Sequence, residues 1–229
     1  MNEYGLIFDV DGVMADTEAV NAEATIQVFE NLFGLKGVKR QDFEAGLGRG
    51  AEAYVQAAAK VHGFHMTDRQ LSQAVATRQD YFMERLRKGS LPPFPGVMEL
   101  LRAALNAEDL RLAIATSSAR EKSQAVLSAA GIPYDRMVYL TGNDVAHKKP
   151  DPELYLRAAE ALELPPSRCA VVEDAPDGVE AALAAGCSCF AVTNSVPPDR
   201  LQRAHRVVDS LKEVDLEAIR RMIDGRERD

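Results

Sequence analysis

The chain reads as an α/β protein, a doubly wound parallel-sheet (Rossmann-like) core with an inserted all-helical cap domain. Three observations predict this. Short apolar runs of strand length recur at Gly5-Leu6-Ile7-Phe8, Leu112-Ala113-Ile114-Ala115, Ala170-Val171-Val172, Phe190-Ala191-Val192 and Val207-Val208. Stretches with a helical period lie between consecutive runs. One interval, from Phe8 to Leu112, breaks the rhythm with helical stripes and no strand candidate. Strands that are apolar throughout are covered on both faces, which calls for helices on each side of a parallel sheet.

Each element follows from local chemistry. Met137-Val138-Tyr139-Leu140 adds a sixth short strand. Val97, Leu100, Leu101, Ala104 and Leu105 form a helical stripe behind Pro95-Gly96. Leu154, Tyr155, Ala158, Ala159 and Leu162 form another, with Asp151-Pro152 as cap and first-turn residue. In the long interval, stripes run through Val28, Phe29, Leu32 and Phe33, then Ala51, Val55, Ala58 and Ala59, then Leu71, Val75, Phe82 and Leu86. Leu91-Pro92-Pro93-Phe94-Pro95-Gly96 holds no helix and reads as the return hinge. The expected division is a core of residues 1–16 and 89–229, with residues 17–88 as a helical lid.

Composition narrows the function classes. The chain has 229 residues, 46% of them hydrophobic, enough for a substantial core without disulfides. Against 27 Lys+Arg stand 35 Asp+Glu, a net charge of −8, which leaves no spare basic face for nucleic acid. No apolar run approaches a membrane span, and Glu3 precedes a short run ending at Asp9, unlike a signal peptide. Cys169, Cys187 and Cys189 lack metal-site spacing and read as small buried hydrophobes. The four histidines are scattered and are assigned no metal. Free thiols and no export signal suggest the cytoplasm; the acidic charge and closed core suit a monomer.

The chemistry gathers at strand ends, where open α/β sheets bind ligands. The first strand runs into Asp9-Val10-Asp11-Gly12-Val13. Residues two apart in extended chain project the same way, so Asp9 and Asp11 can share a pocket. Two carboxylates about 4 Å apart repel by roughly 4 kcal/mol at an effective dielectric of 20, so a proton or a cation must offset them. Gly12 permits a tight turn past a ligand. The second strand runs into Thr116-Ser117-Ser118, a hydroxyl and backbone N–H groups at a helix start that suit an oxyanion. Lys148-Lys149-Pro150 places a lysine before a helix, and the fourth strand runs into Glu173-Asp174. Magnesium is held by such carboxylates together with waters and a substrate phosphate. Singly, each motif has a plainer reading: a solvated acidic turn, a helix cap, an exposed lysine.

Together, in this order, they resemble the haloacid dehalogenase superfamily of phosphotransferases, in its β-phosphoglucomutase-like branch with a helical cap. Asp9-Val10-Asp11-Gly12-Val13 is similar to the first motif, Thr116 to the second, Lys149-Pro150 to the third and Glu173-Asp174 to the fourth. The helical insertion also matches in place and size. The resemblance implies that Asp9 is the nucleophile, forming an aspartyl-phosphate, and that Asp11 is the general acid and base. It implies Mg2+ held by Asp9, the carbonyl of Asp11, Asp174 and Glu173, with Thr116, Ser117 and Ser118 on phosphate oxygens and Lys149 neutralising charge. Gly12 and the cap residues Thr17, Glu18, Asn21, Arg49 and Arg78 are the expected substrate contacts. Arg49 stands between two glycines, which leaves it open to a ligand, and Thr17 equally suits a helix cap.

The chain departs from the family's mutases at one position. Where they carry a histidine on the first cap helix, this sequence has Asn21. An amide does not shuttle protons near neutral pH. Water is then the favoured acceptor, and the expected activity is a phosphatase of small phosphate monoesters, sugar phosphates in the first place. The alternative is a sugar phosphomutase. A receiver domain also gathers acids, hydroxyls and lysine at parallel strand ends. The long insertion and the late acid pair argue against it.

Overall fold

Residues 3–46, 50–89 and 91–225 are described by the computed structural model of the chain. The apolar runs form β1 (Tyr4–Phe8), β2 (Leu110–Ala115), β3 (Val138–Leu140), β4 (Cys169–Glu173), β5 (Ser188–Val192) and β6 (Arg206–Val208). All pair in parallel in the order β3-β2-β1-β4-β5-β6. β1 is central, with Phe8 opposite Ile114 on one side and Val172 on the other. The chain moves outward from β1 to β2 and β3, then returns to place β4 on its other flank. The reversal opens a crevice beyond the carboxyl ends of β1 and β4.

Around the sheet lie α4 (Val97–Leu105), α5 (Arg120–Ala129), α6 (Glu153–Ala161), α7 (Pro176–Ala184) and α8 (Leu216–Ile223). Alternation along each strand sorts the two faces. Ile7, Ala113, Val171, Cys189 and Ala191 share a buried cluster with Leu154, Tyr155 and Ala158 of α6 and Val179, Ala181 and Ala182 of α7. Leu6, Phe8 and Ile114 point the other way and are also fully buried. Each such side chain contributes roughly 1.5–3 kcal/mol by leaving water. The three cysteines are buried and free, and burial pushes the thiols of Cys169 and Cys187 up to about 11 and about 12.

By contacts the chain divides into Met1–Asp16 with Leu91–Asp229, and Thr17–Ser90. The second unit holds α1 (Thr17–Phe33), α2 (Ala51–Val61) and α3 (Asp68–Lys88), with a 3-10 segment over Arg40–Gly46. Its cluster includes Val28, Phe29, Phe43, Val55 and Leu71. α3 starts on a capping box between Thr67 and Gln70, which satisfies two amides of the first turn.

Two helix starts differ from the sequence expectation. Thr116-Ser117-Ser118 does not open a helix: α5 begins at Arg120 behind Ala119, and the Thr116 hydroxyl instead accepts from the Ser118 amide at 3.1 Å. Asp151-Pro152 lies one step before α6, where Pro152 is the cap and the Asp151 carboxylate accepts from the Glu153 amide at 2.9 Å. Among the described residues, no helix is long and apolar enough to cross a membrane.

Candidate active site

Register brings the acids together. The Asp9 amide donates to the carbonyl of Val172 at 3.1 Å, so Asp9 leaves β1 where Glu173 ends β4. Asp9, Glu173 and Asp174 are all buried. Lys149 Nζ lies between two of them, 2.5 Å from Asp9 Oδ1 and 2.6 Å from Glu173 Oε1. The Tyr155 hydroxyl of α6 also donates to Glu173 Oε1, and Lys149 Nζ sits 4.8 Å from the centre of that ring. The other Glu173 oxygen accepts from the amides of Asp174 at 3.0 Å and Ala175 at 3.3 Å.

These contacts set the charges. Burial pushes Asp9 up; Lys149 pulls it back, Glu173 and Asp11 push it up again, and the carboxyl settles at about 7. Burial pushes Glu173 up, but the charge and hydrogen bond of Lys149, with hydrogen bonds from Tyr155 and the Asp174 amide, together hold this carboxyl below its usual range. Burial pulls Lys149 down, yet Asp9 and Glu173 hold the ammonium above its ordinary value. Asp174 is pushed well up by burial, then by Glu173 and Asp9, against a hydrogen bond from Ser195 and the charge of Lys149. Three buried carboxylates therefore face one buried ammonium. A hard cation is the chemistry that such an excess of buried oxygen charge fits.

Asp11 stands at the rim, partly exposed. Its Oδ2 accepts from Ser118 Oγ at 2.6 Å and its Oδ1 from Lys122 Nζ at 3.1 Å. Gly12 turns the chain with φ at 79°, and a Cβ there would collide with the Asp174 carboxylate. The Gly12 carbonyl accepts from Asn194 Nδ2 at 2.8 Å. Thr116 is buried, its amide bonded to the Leu140 carbonyl. The Ser117 hydroxyl is buried and has no hydrogen-bond partner among the described residues.

In the second unit, Thr17 opens α1 and is buried. Glu18 accepts from the Tyr54 hydroxyl of α2, and the Arg78 guanidinium of α3 lies 5.6 Å over the Tyr54 ring centre. Tyr54 in turn stacks on Phe43 at 4.5 Å and 8°. The Arg78 Nε is buried and has no hydrogen-bond partner among the described residues. Asn21 gives its backbone carbonyl to the Thr25 hydroxyl at 2.7 Å. Arg49 lies outside the described residues.

Sequence reasoning had missed four residues. Tyr155 was indistinguishable from its apolar neighbours on the α6 stripe. Asn194 and Ser195 follow β5, and the strand-end rule that flagged Asp9 and Glu173 covers them equally. Lys122 is a lysine in the first turn of α5, where the helix dipole disfavours a cation. Elsewhere, His147, Asp151 and Glu153 bring ligand-type atoms within 4.8 Å of one another. Glu153 is already occupied there by the amides of Ala146 and His147, which hold its carboxyl down at about 2.

Residues 5–186 match the model of the haloacid dehalogenase-like hydrolases. Protein CbbY of Rhodobacter capsulatus is 34% identical over 196 residues, covering 81% of this chain and 83% of that one. Hexitol phosphatase A of Escherichia coli is 31% identical over 210 residues, 92% of each. The crystal structure of a putative β-phosphoglucomutase from Thermotoga maritima is also similar, with a TM-score of 0.72 at 26% identity over 99% of both chains. The chain belongs to the haloacid dehalogenase-like hydrolases, in their β-phosphoglucomutase-like branch, and is an enzyme of their phosphatase kind.

Proposed function

We propose that this chain is a magnesium-dependent phosphatase that hydrolyses phosphate monoesters of sugars or polyols through an aspartyl-phosphate. The observation that carries the reading is the Lys149 ammonium bridging Asp9 and Glu173 beside a third buried acid, Asp174. An Asp9 oxygen attacks phosphorus while the bond from phosphorus to the ester oxygen breaks, and Asp11 gives its proton to the leaving alkoxide. Asp11 then takes a proton from water, whose oxygen displaces Asp9 from phosphorus and frees inorganic phosphate. Lys149 holds Asp9 in place, and Thr116, the buried Ser117 hydroxyl and nearby amides hold phosphoryl oxygens. Asp9, the Asp11 carbonyl and Asp174, backed by Glu173, would hold a magnesium ion, which supplies the charge that lets an anionic nucleophile approach an anionic ester.

The substrate class rests on the second unit and on a relative. Glu18 and Arg78, joined through Tyr54, offer an acceptor and donors suited to hydroxyl groups, and a hexitol phosphatase is among the relatives. Asn21 in place of a histidine speaks for transfer to water over transfer within a sugar. The large exposed hydrophobics among the described residues are Val61 and Leu156, too few for an apolar interface, which favours a monomer. The buried free thiols suit the cytoplasm. Phosphate release from a panel of hexitol, pentose and hexose phosphates, two-carbon acid phosphates and nucleotides tests the reading. Expected is turnover of polyol or sugar monophosphates that stops in chelator and returns with added magnesium. Unchanged rates in chelator would remove the metal from the mechanism.

A further inference from the structure

The Asp11 carboxylate is held from one side by two groups of a single segment. Ser118 Oγ donates to Oδ2 at 2.6 Å, Lys122 Nζ donates to Oδ1 at 3.1 Å, and Lys122 Nζ also reaches Ser118 Oγ at 3.3 Å. The three groups close a triangle in which Ser118 and Lys122 each donate to Asp11 and Lys122 also donates to Ser118. Ser118 lies in the turn after β2, and Lys122 is the third residue of α5, so both are fixed to the core sheet. A lysine in a first helical turn works against the dipole. The carboxylate from the β1 loop supplies what the helix does not. Both side chains are about a quarter to a third exposed, 24% for Lys122 and 30% for Asp11, so the contact stays charge-assisted without being sealed from water.

We infer that Lys122, acting with Ser118, is a positioning residue that aims the Asp11 carboxyl group at the leaving oxygen of the substrate. The inference rests on the reading of Asp11 as general acid and base. In the first half-reaction the ester oxygen leaves phosphorus as the phosphorus–Asp9 bond forms, and the proton it gains comes from Asp11. An alkyl ester needs that proton, because an alkoxide is a poor leaving group. A nitrophenyl ester does not, because its phenolate leaves unprotonated. kcat/KM reports the steps up to departure of the leaving group, so the two esters separate aim of the acid from general damage to the site.

The experiment compares kcat/KM for a hexitol phosphate and for p-nitrophenyl phosphate, with magnesium, in the wild type, Lys122→Met, Lys122→Arg and Asp11→Asn. Lys122→Met should lower the hexitol phosphate value about tenfold, the worth of one charge-assisted hydrogen bond, and the nitrophenyl value less than about twofold. Lys122→Arg keeps a donor and should keep the ratio of the two substrates near that of the wild type. Equal losses on both esters in Lys122→Met, or none on either, would overturn the positioning role. If Asp11→Asn itself failed to discriminate between the esters, the acid assignment would fall, and this inference with it.

Discussion

At the scale of single residues, the chemistry of this site is a contest between burial and charge, and Asp9 shows how it is decided. Desolvation alone would leave Asp9 protonated at neutral pH, and Lys149 recovers only part of the loss, so the carboxyl titrates at about 7. The ordinary value is 3.8, which means that the folded protein holds this proton more tightly than the unfolded chain. Without metal, the fold therefore loses stability as pH rises from 3.8 to about 7, and below 3.8 the penalty is absent. Asp9→Asn removes the titrating group. It should abolish phosphatase turnover, and in chelator it should be more stable than the wild type above pH 7, the difference closing as pH falls. Steady-state assays and denaturant midpoints across that range check both halves. Residual turnover near the wild-type level would exclude Asp9 as nucleophile, and a stability gap that widened toward low pH would reverse the sign argued here.

Among elements, the fit of α7 against the end of β4 decides where Glu173 points. Gly178 lies in the first turns of α7, and a Cβ on it would collide with the Glu173 carboxyl group. Helix propensity argues the other way, since alanine is favoured over glycine in a helix by about 1 kcal/mol. Overpacking typically costs about 1–3 kcal/mol, and here the displaced group is the partner of Lys149 and Tyr155, so the collision should win. Gly178→Ala is expected to lower the denaturant midpoint and to reduce kcat more than it raises KM, because Glu173 orders the acids rather than the substrate. A more stable and fully active variant would mean that Glu173 has room to move without consequence. The placement of such elements was largely legible: β1, β2, β4 and β5 each extend an apolar run by one or two residues, and their trailing acids and hydroxyls line the crevice. The start of α5 was not, because beside the local bond from the Ser118 amide the Thr116–Ser118 turn is held by the Leu140 and Asp11 contacts, which only tertiary structure supplies.

For the molecule as a whole, what could be read in advance and what could not divides along contact distance in the chain. Asp9 and Asp11 announce each other because they are two residues apart, and Glu173 and Asp174 because they are adjacent. Lys122 and Asp11 are separated by 111 residues and meet only because β1 and β2 are neighbours in the sheet. Tyr155 serves the site from a core stripe, and apolar patterning cannot distinguish a ring that only packs from one that also donates. The same view of the whole chain yields a prediction about its cooperativity. The cluster of the sheet unit, with Leu154 and Val171, and that of Thr17–Ser90, with Phe29 and Phe43, share no residue. Each unit carries its own driving force for folding, and chains built of several units depart from two-state unfolding. Phe29→Ala, at a fully buried position, should cost about 3–5 kcal/mol, and Leu154→Ala about 2–5 kcal/mol. In scanning calorimetry the first should move one component of the melting curve and the second the other. A single transition that both substitutions shift in step would show that the two clusters fold as one, and that the insertion has no stability of its own.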